Sequence, residues 1–243
     1  MKLNLSVPLS IIVDETYGAC YEPIVELQTM KVYGYEALSR FRHEDKYIPP
    51  NEFFNAIHDN SETFFHFESI LKRFQLDNRP KGHRLFLNLD PHVVLENDHV
   101  EYWMRLFTTH KNIEIEIIEN SHNENLYLIE EFMDWMDEHD ITYAYDDFLK
   151  PDTLFFTSLF HRANTIKLDM DVIQKIRTNP AYIEVAKGIV KFLKASKRLC
   201  LLEGIEDASD LEIAKELGVD FVQGYYFKAH FIEKWNLDYS KVS

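Results

Sequence analysis

At 243 residues, with 46% hydrophobic and 14% aromatic side chains, the chain has material for one large core and lies in the size range of an α/β barrel. A formal charge of −15 argues against a basic surface that grips nucleic-acid phosphates, so no DNA or RNA polymer is expected as a partner and a phosphate ligand has to be met by metal ions or a local cluster of cations. Two cysteines, Cys20 and Cys200, without a Cys-x-x-Cys pair exclude a disulfide framework or zinc ribbon, and no apolar run reaches the ~18–20 residues of a membrane span, so a soluble, unexported, cytoplasmic chain with no membrane association is expected.

Short apolar strand candidates alternate with helical patterns almost from end to end, the signature of βα units around a parallel sheet. The first two, YEPIVEL (21–27) and VYGYEALSRF (32–41), are separated only by residues 28–31, too few for a crossover helix, and are expected to form an antiparallel hairpin. The FFHF cluster at 64–67 has helical spacing and reads as core. Strand candidates follow at 84–89 (RLFLNL) and 113–118 (IEIEII), then an amphipathic helix at 123–140 and a strand at 142–146 (TYAYD). The pattern continues with a strand at 164–169, a helix at 181–197, a strand at 198–203, a helix at 207–218 that opens on Asp207 and closes on Gly218, and a strand at 220–224. No repeat, low-complexity tract or interdomain linker interrupts it.

Side chains alternate across a strand. If Ile113, Ile115 and Ile117 pack under helices, Glu114 and Glu116 point the other way, which in a barrel is inward. The same reasoning turns Asn88, Asp146, Lys167, Glu203 and Gln223 inward, and puts Glu36 and Arg40 on one face of their strand. An unpaired charge inside a barrel costs several kcal/mol, so this many polar residues need a purpose. Most stand near the C-terminal ends of their strands, where barrel enzymes assemble their sites. Glu36, Asn88, Glu116 and the adjacent Asp146 and Asp147 offer only oxygen ligands, the preference of hard cations such as Mg²⁺ or Mn²⁺ over zinc. Two ions about 3.5–4 Å apart would suit phosphodiester hydrolysis, with Lys167 and Glu203 beside the attacking water.

The segments YEALSRF (35–41), LNLDP (87–91), EIIEN (116–120), DDF (146–148), IKLD (166–169), LEGIED (202–207) and VQGYYF (222–227) resemble, in order and spacing, the motif series of EAL domains, which are bacterial phosphodiesterases and receptors for cyclic di-GMP. The resemblance covers roughly residues 17–230. It implies a modified TIM (β/α)8 barrel whose first strand is antiparallel, one domain over 1–243 with residues 1–16 as lead-in and 231–243 as C-terminal tail. It also implies Glu36, Asn88, Glu116, Asp146 and Asp147 as ligands of two Mg²⁺ or Mn²⁺ ions, with Ca²⁺ inhibitory. Lys167 would orient or polarise the attacking water, and Glu203 would serve either at the second metal or as general base. Arg40 would contact a substrate phosphate beside Leu38, Gln223 would complete the rim, Glu119 would steady the loop after Asp147, and Glu206 is the second acid of the EGxE motif. The implied reaction is hydrolysis of cyclic di-GMP to linear pGpG.

Two positions depart from the family. After DDF the usual glycine-rich loop is replaced by LKPDTLFF (149–156), in which Leu149 and Pro151 are expected to exclude conformations that glycine allows and to stiffen the loop. Glu22 stands where the family favours Gln and would add negative charge facing the ligand. Both changes weaken the enzymatic reading and leave as alternative a catalytically weak cyclic di-GMP receptor or protein-interaction module. Regulation then comes through a homodimer, ligand level or a separate protein partner. The seven glycines form no GxGxxG or GKS/GKT loop, and the eleven histidines form no His-x-x-x-His pair. Tyr225 and Tyr226 fit packing or guanine contacts equally.

Overall fold

Helix α1 (Ser6–Val13) leads into strand β1 (Tyr17–Glu26), which runs antiparallel to β2 (Lys31–His43) with Glu22 opposite Glu36 and Cys20 opposite Leu38. A short β3 (Lys46–Ile48) folds back on the end of β2. From β2 onward β4 (Arg84–Leu89), β5 (Ile113–Ile117), β6 (Tyr143–Phe148), β7 (Thr165–Leu168), β8 (Leu199–Leu202) and β9 (Phe221–Val222) are successive parallel neighbours. Strand β9 then pairs antiparallel with β1, Val25 opposite Val222, and closes an eight-stranded TIM-like barrel whose first strand is reversed, as the short 28–31 connection requires. The computed structural model describes residues 3–94, 97–117, 126–151, 153 and 155–236. No helix among them is long and apolar enough to cross a membrane.

Each parallel step needs a crossover, and the helices supply it: α2 (Pro50–Ile57) and α3 (Ser61–Asp77) before β4, α4 (Asn97–Thr108) before β5, α5 (Leu126–Glu138) before β6, α6 (Thr157–Arg162) before β7, α7 (Asp171–Thr178) and α8 (Tyr182–Ala195) before β8, and α9 (Ala208–Leu217) before β9. The last is bounded as expected: the Asp207 carboxylate accepts the Ser209 and Asp210 amides, and Gly218 ends the helix at φ +73°. Phe64 and Phe67 are buried on α3, so the FFHF cluster is core. One boundary is corrected. The stretch expected as a tail from 231 contains β10 (Ile232–Trp235), paired antiparallel with the outer end of β1, because the first half of β1 has an edge that β9 is too short to cover.

Inside the barrel the strand alternation sorts chemistry by height. Ile24, Phe86, Leu201 and Phe221 form a buried apolar cluster of their own. One inward step further along the parallel strands stand Asn88 after Phe86, Glu203 after Leu201 and Gln223 after Phe221. The closed half is thus filled with hydrocarbon and the open half with polar groups. Glu114, one step below Glu116, is fully buried and ion-paired to Arg84 at 2.6 Å, a structural pair in the closed half. Two glycines make the open half fit. A Cβ on Gly204 (φ +74°) would lie 2.3 Å from the Met170 Cβ, and one on Gly224 (φ +151°) 2.4 Å from the Ile205 backbone. That close approach lets the Ile205 amide donate to the Gln223 carbonyl at 3.0 Å and sets the ends of β8 and β9 side by side.

The loop after β6 corrects another expectation. Leu149 has φ +71°, a left-handed conformation typical of glycine, so leucine does not exclude that backbone path. The roughly 1–2 kcal/mol cost of that conformation is offset by packing of its half-buried side chain against the core and by Lys175 Nζ donating to its carbonyl at 3.0 Å. Leu149→Gly is therefore expected to change unfolding free energy by less than about 1 kcal/mol, relief of strain being balanced by lost packing and greater freedom of the unfolded chain. Leu149→Val should cost more than about 1 kcal/mol, since β-branching is hostile to positive φ. Denaturant titration of the two variants checks this, and a Gly variant less stable than the Val variant would refute it.

Candidate active site at the open end of the barrel

Glu36 on β2, Asn88 on β4, Glu116 on β5, Asp146 and Asp147 on β6, Lys167 on β7, and Glu203 and Gln223 one residue past β8 and β9 come from seven strands and meet at the C-terminal ends of the parallel ones. Lys167 is fully buried at their centre. Its ammonium lies 2.7 Å from Glu116 Oε1, 2.9 Å from Asp146 Oδ1, 2.9 Å from Glu203 Oε1 and 3.4 Å from Glu36 Oε2. Four carboxylates therefore share one ammonium. Two amides help: Asn88 Nδ2 donates to Glu36 Oε1 at 2.7 Å and Gln223 Nε2 to Glu36 Oε2 at 2.6 Å. Donation by Asn88 Nδ2 leaves its carbonyl oxygen to serve as a ligand.

These contacts do not satisfy the cluster. Both Glu116 oxygens and Asp146 Oδ1 are buried, and among the described residues Glu116 Oε1 and Asp146 Oδ1 have only the Lys167 ammonium at ion-pair distance. Glu36, Glu116 and Asp146 present ligand atoms within 4.8 Å of one another, and so do Asp146, Asp147 and Glu203. Asp146 belongs to both trios. An all-oxygen donor set with orphaned acceptors and excess negative charge fits a pair of hard divalent cations.

The electrostatics follow from that crowding. Burial, together with the charge of Glu36, pushes the Glu116 carboxyl well above the ordinary carboxylate range. Burial also raises Asp146, with Lys167 opposing and Glu36 and Asp147 reinforcing it. Glu203 is pushed up to about 8, by burial first. Glu36 alone is lowered: against the burial that would raise it, Lys167 and the Gln223 and Asn88 amides favour its charge. Although burial opposes it, the surrounding carboxylates hold the Lys167 ammonium well above its usual range.

A group whose folded pKa is raised stabilises the fold below its unfolded pKa, and that contribution is lost as pH rises through the folded value. Chelated free of divalent cations, the protein is therefore expected to lose thermal stability as pH climbs from 4.5 to about 8, the Glu203 window. The lowered Glu36 acts in the opposite sense, but below 4.5. Added Mn²⁺ should reverse the slope by favouring the ionised carboxylates. Melting curves between pH 5 and 9, with chelator and with Mn²⁺, check this; a chelated melting temperature that rises toward pH 8 would contradict it.

The cluster opens into a cleft of about 590 Å³ walled by β2, α2 and α3. Leu38 and Arg40 line it. Arg40 Nη2 is engaged by Glu22 Oε1 at 3.1 Å, so Glu22 faces the guanidinium rather than simply adding charge to the cleft. Glu206 is exposed in the turn before α9, outside both carboxylate trios, and its amide donates to Asp210 Oδ2 at 3.0 Å. Glu119 lies outside the described residues. Tyr225 and Tyr226 are 60% and 46% exposed, on a short turn past Gln223, which speaks against packing as their main role.

Three features were not expected. Lys150 pairs with Asp147 Oδ2 at 2.6 Å, placing a cation of the chain on one carboxylate of the second trio; the i,i+3 spacing was its only signal. On α3 a buried Glu68–Lys72 pair at 2.6 Å and Gln75, which donates to Ser39 Oγ at 3.0 Å, line the cleft. His58, Asp90 and His92 gather on the same side, and although burial opposes it, the two imidazoles hold the Asp90 carboxyl well below its usual range.

The EAL domain family model matches residues 12–229. Among curated proteins the chain is similar to the "Probable cyclic di-GMP phosphodiesterase PdeN" of Escherichia coli K12, 26% identical over 224 residues, 87% of this chain and 43% of that protein, so it spans less than half of that relative. Among solved structures it is similar to an EAL domain protein of Listeria monocytogenes EGD-e, 24% identical with a TM-score of 0.74 over 93% of each chain. It is also similar to the Bacillus subtilis YkuI protein, with an EAL domain, in complex with cyclic di-GMP and calcium, 22% identical with a TM-score of 0.75 over 90% of this chain and 57% of that one. With its motif series set on the ends of the barrel strands and the family model matched over most of its length, the chain belongs to the EAL domain family.

Proposed function

We propose that the protein is a metal-dependent phosphodiesterase that hydrolyses cyclic di-GMP to linear pGpG in bacterial second-messenger signalling in the cytoplasm. The observation that carries this reading is the pair of carboxylate trios sharing Asp146 at the floor of the cleft. Glu36, Glu116, Asp146 and the Asn88 carbonyl would hold one Mg²⁺ or Mn²⁺, and Asp146, Asp147 and Glu203 a second, with Ca²⁺ inhibitory. When bound, such a pair supplies charge to a phosphodiester and lowers the pKa of water enough to make a nucleophile at neutral pH. Lys167 orients the attacking water from the centre of the cluster. Gln223 and Asn88 fix the Glu36 carboxylate through their amides. Arg40 meets a phosphate from the cleft wall, and Leu38 lies against the nucleotide. The name of the E. coli relative and the ligand in the B. subtilis structure support the substrate class, and two buried free cysteines suit a reducing cytoplasm.

The test is turnover of cyclic di-GMP with Mg²⁺ or Mn²⁺, with the product identified against pGpG. Hydrolysis that stops with chelator or Ca²⁺ is the expected result; none with either metal, while ligand still binds, overturns it.

A second reading, a receptor or interaction module that signals through a homodimer or a separate protein, is favoured by two ion pairs that occupy groups the reaction needs: Lys150 on Asp147 and Glu22 on Arg40. Whether the chain is an enzyme or a receptor, Glu22→Gln is expected to tighten cyclic di-GMP binding by about tenfold, since a charge-assisted contact competing for Arg40 is worth on the order of 1.4 kcal/mol. Calorimetry in Ca²⁺ reads this without turnover. Unchanged affinity would mean that Arg40 does not reach the ligand.

A further inference from the structure

We propose that His58, Asp90 and His92 form a separate centre for a borderline transition dication of the Zn²⁺ class, on the wall of the cleft and apart from the oxygen-only cluster at its floor. His92 Nδ1 lies 2.6 Å from Asp90 Oδ1, and His58 Nε2 lies 3.4 Å from Asp90 Oδ2. One ligand atom from each of the three residues falls within 4.8 Å of the others, and the two imidazole rings are 4.6 Å apart. A four-coordinate zinc with bonds of about 2.0–2.1 Å sets its ligand atoms roughly 3.3 Å apart. The His92 contact to Oδ1 is shorter than that edge and the His58 contact to Oδ2 about equal to it, so the two imidazoles approach different oxygens of Asp90 and a cation would have to separate His92 from Oδ1.

The donor set selects the ion. Two imidazoles and one carboxylate suit Zn²⁺, Co²⁺ or Fe²⁺ and are poor for Mg²⁺, whereas the floor cluster has no nitrogen ligand. The three residues come from different elements: His58 ends α2, Asp90 follows β4, and His92 lies in the turn Pro91–Val94. Their orientation is built in. Asp90 is 8% exposed, its Oδ1 also accepts the His92 amide at 2.9 Å, and the His58 ring packs on Phe64 at 5.2 Å. Both His58 and Asp90 line the cleft, which leaves space beside them for a water or an anionic oxygen as a further ligand. The inference does not depend on hydrolysis and holds equally for a receptor.

The competing account is a hydrogen-bonded brace in which Asp90 ties α2 to the end of β4 with no metal. The two are separated by titrating the full chain with Zn²⁺ by calorimetry in saturating Mg²⁺ and by recording Co²⁺ spectra, with circular dichroism to verify folding. The expected result is one site per chain that survives Asp146→Asn and is weakened at least about 100-fold by His58→Ala and by His92→Gln. The strong visible bands of four-coordinate Co²⁺ should vanish in both histidine variants. Zn²⁺ binding and Co²⁺ bands that are unchanged in the histidine variants, that disappear with Asp146→Asn, or that are absent from the native protein overturn the proposal and leave the brace.

Discussion

Asp146→Asn is expected to abolish cyclic di-GMP turnover at saturating Mg²⁺, a loss of at least about 10³-fold. Asp146 is the one carboxylate common to both trios, so its removal weakens both proposed cation sites, where loss of a single group aimed at developing charge already costs 10²–10³-fold. Asparagine keeps the shape and one oxygen, so the barrel should stay folded. The same change should raise the melting temperature of the chelated protein, because burial and the neighbouring Glu36 and Asp147 already disfavour the Asp146 charge. Glu36→Ala, Asn88→Ala and Glu116→Gln should each abolish turnover too, while touching one trio at most. Rates of pGpG release and chelated melting curves decide the matter. An Asp146→Asn enzyme within about tenfold of the native rate would remove Asp146 from the cation site.

Lys167→Met is expected to act mainly on stability when metal is absent, and on rate when it is present. The ammonium is fully buried and within 3.4 Å of four carboxylates. Removing one partner of a buried charge cluster costs about 3–5 kcal/mol, a loss moderated here by proton uptake on carboxyls already raised. Mn²⁺ should restore most of the stability, since the two proposed dications would supply the missing charge, but turnover should stay on the order of 10²-fold down because nothing replaces the group proposed to orient the water. Urea titrations with chelator and with Mn²⁺, beside kcat, separate the two effects. Equal stability of native and Met proteins in chelator would mean that the carboxylates carry enough protons to need no ammonium. Arg40→Ala, on the cleft wall, should by contrast weaken binding more than it slows the reaction.

Periodicity by itself located the eight barrel strands and their faces, though not the short β3 and β10. RLFLNL is β4 residue for residue, and the alternation in IEIEI, TIKL and LCLLE turned Glu116, Lys167 and Glu203 toward the barrel axis. It could do so because a strand's side-chain period is a local property of the backbone. The reversed first strand was legible for a similar reason, the connection before β2 being too short to cross over. What tertiary structure alone decided is which inward groups touch. Lys167 lies at the centre of four carboxylates because barrel closure and register bring β2, β5, β6 and the end of β8 to one height, and no local pattern encodes register between strands more than a hundred residues apart. Glu22 on Arg40, Lys150 on Asp147 and Leu149 at φ +71° depend on the path of loops and edges, where side-chain period carries no information. The His58–Asp90–His92 trio is the clearest case: its first member is 32 residues from its second, and only the packing of α2 over the end of β4 makes them neighbours.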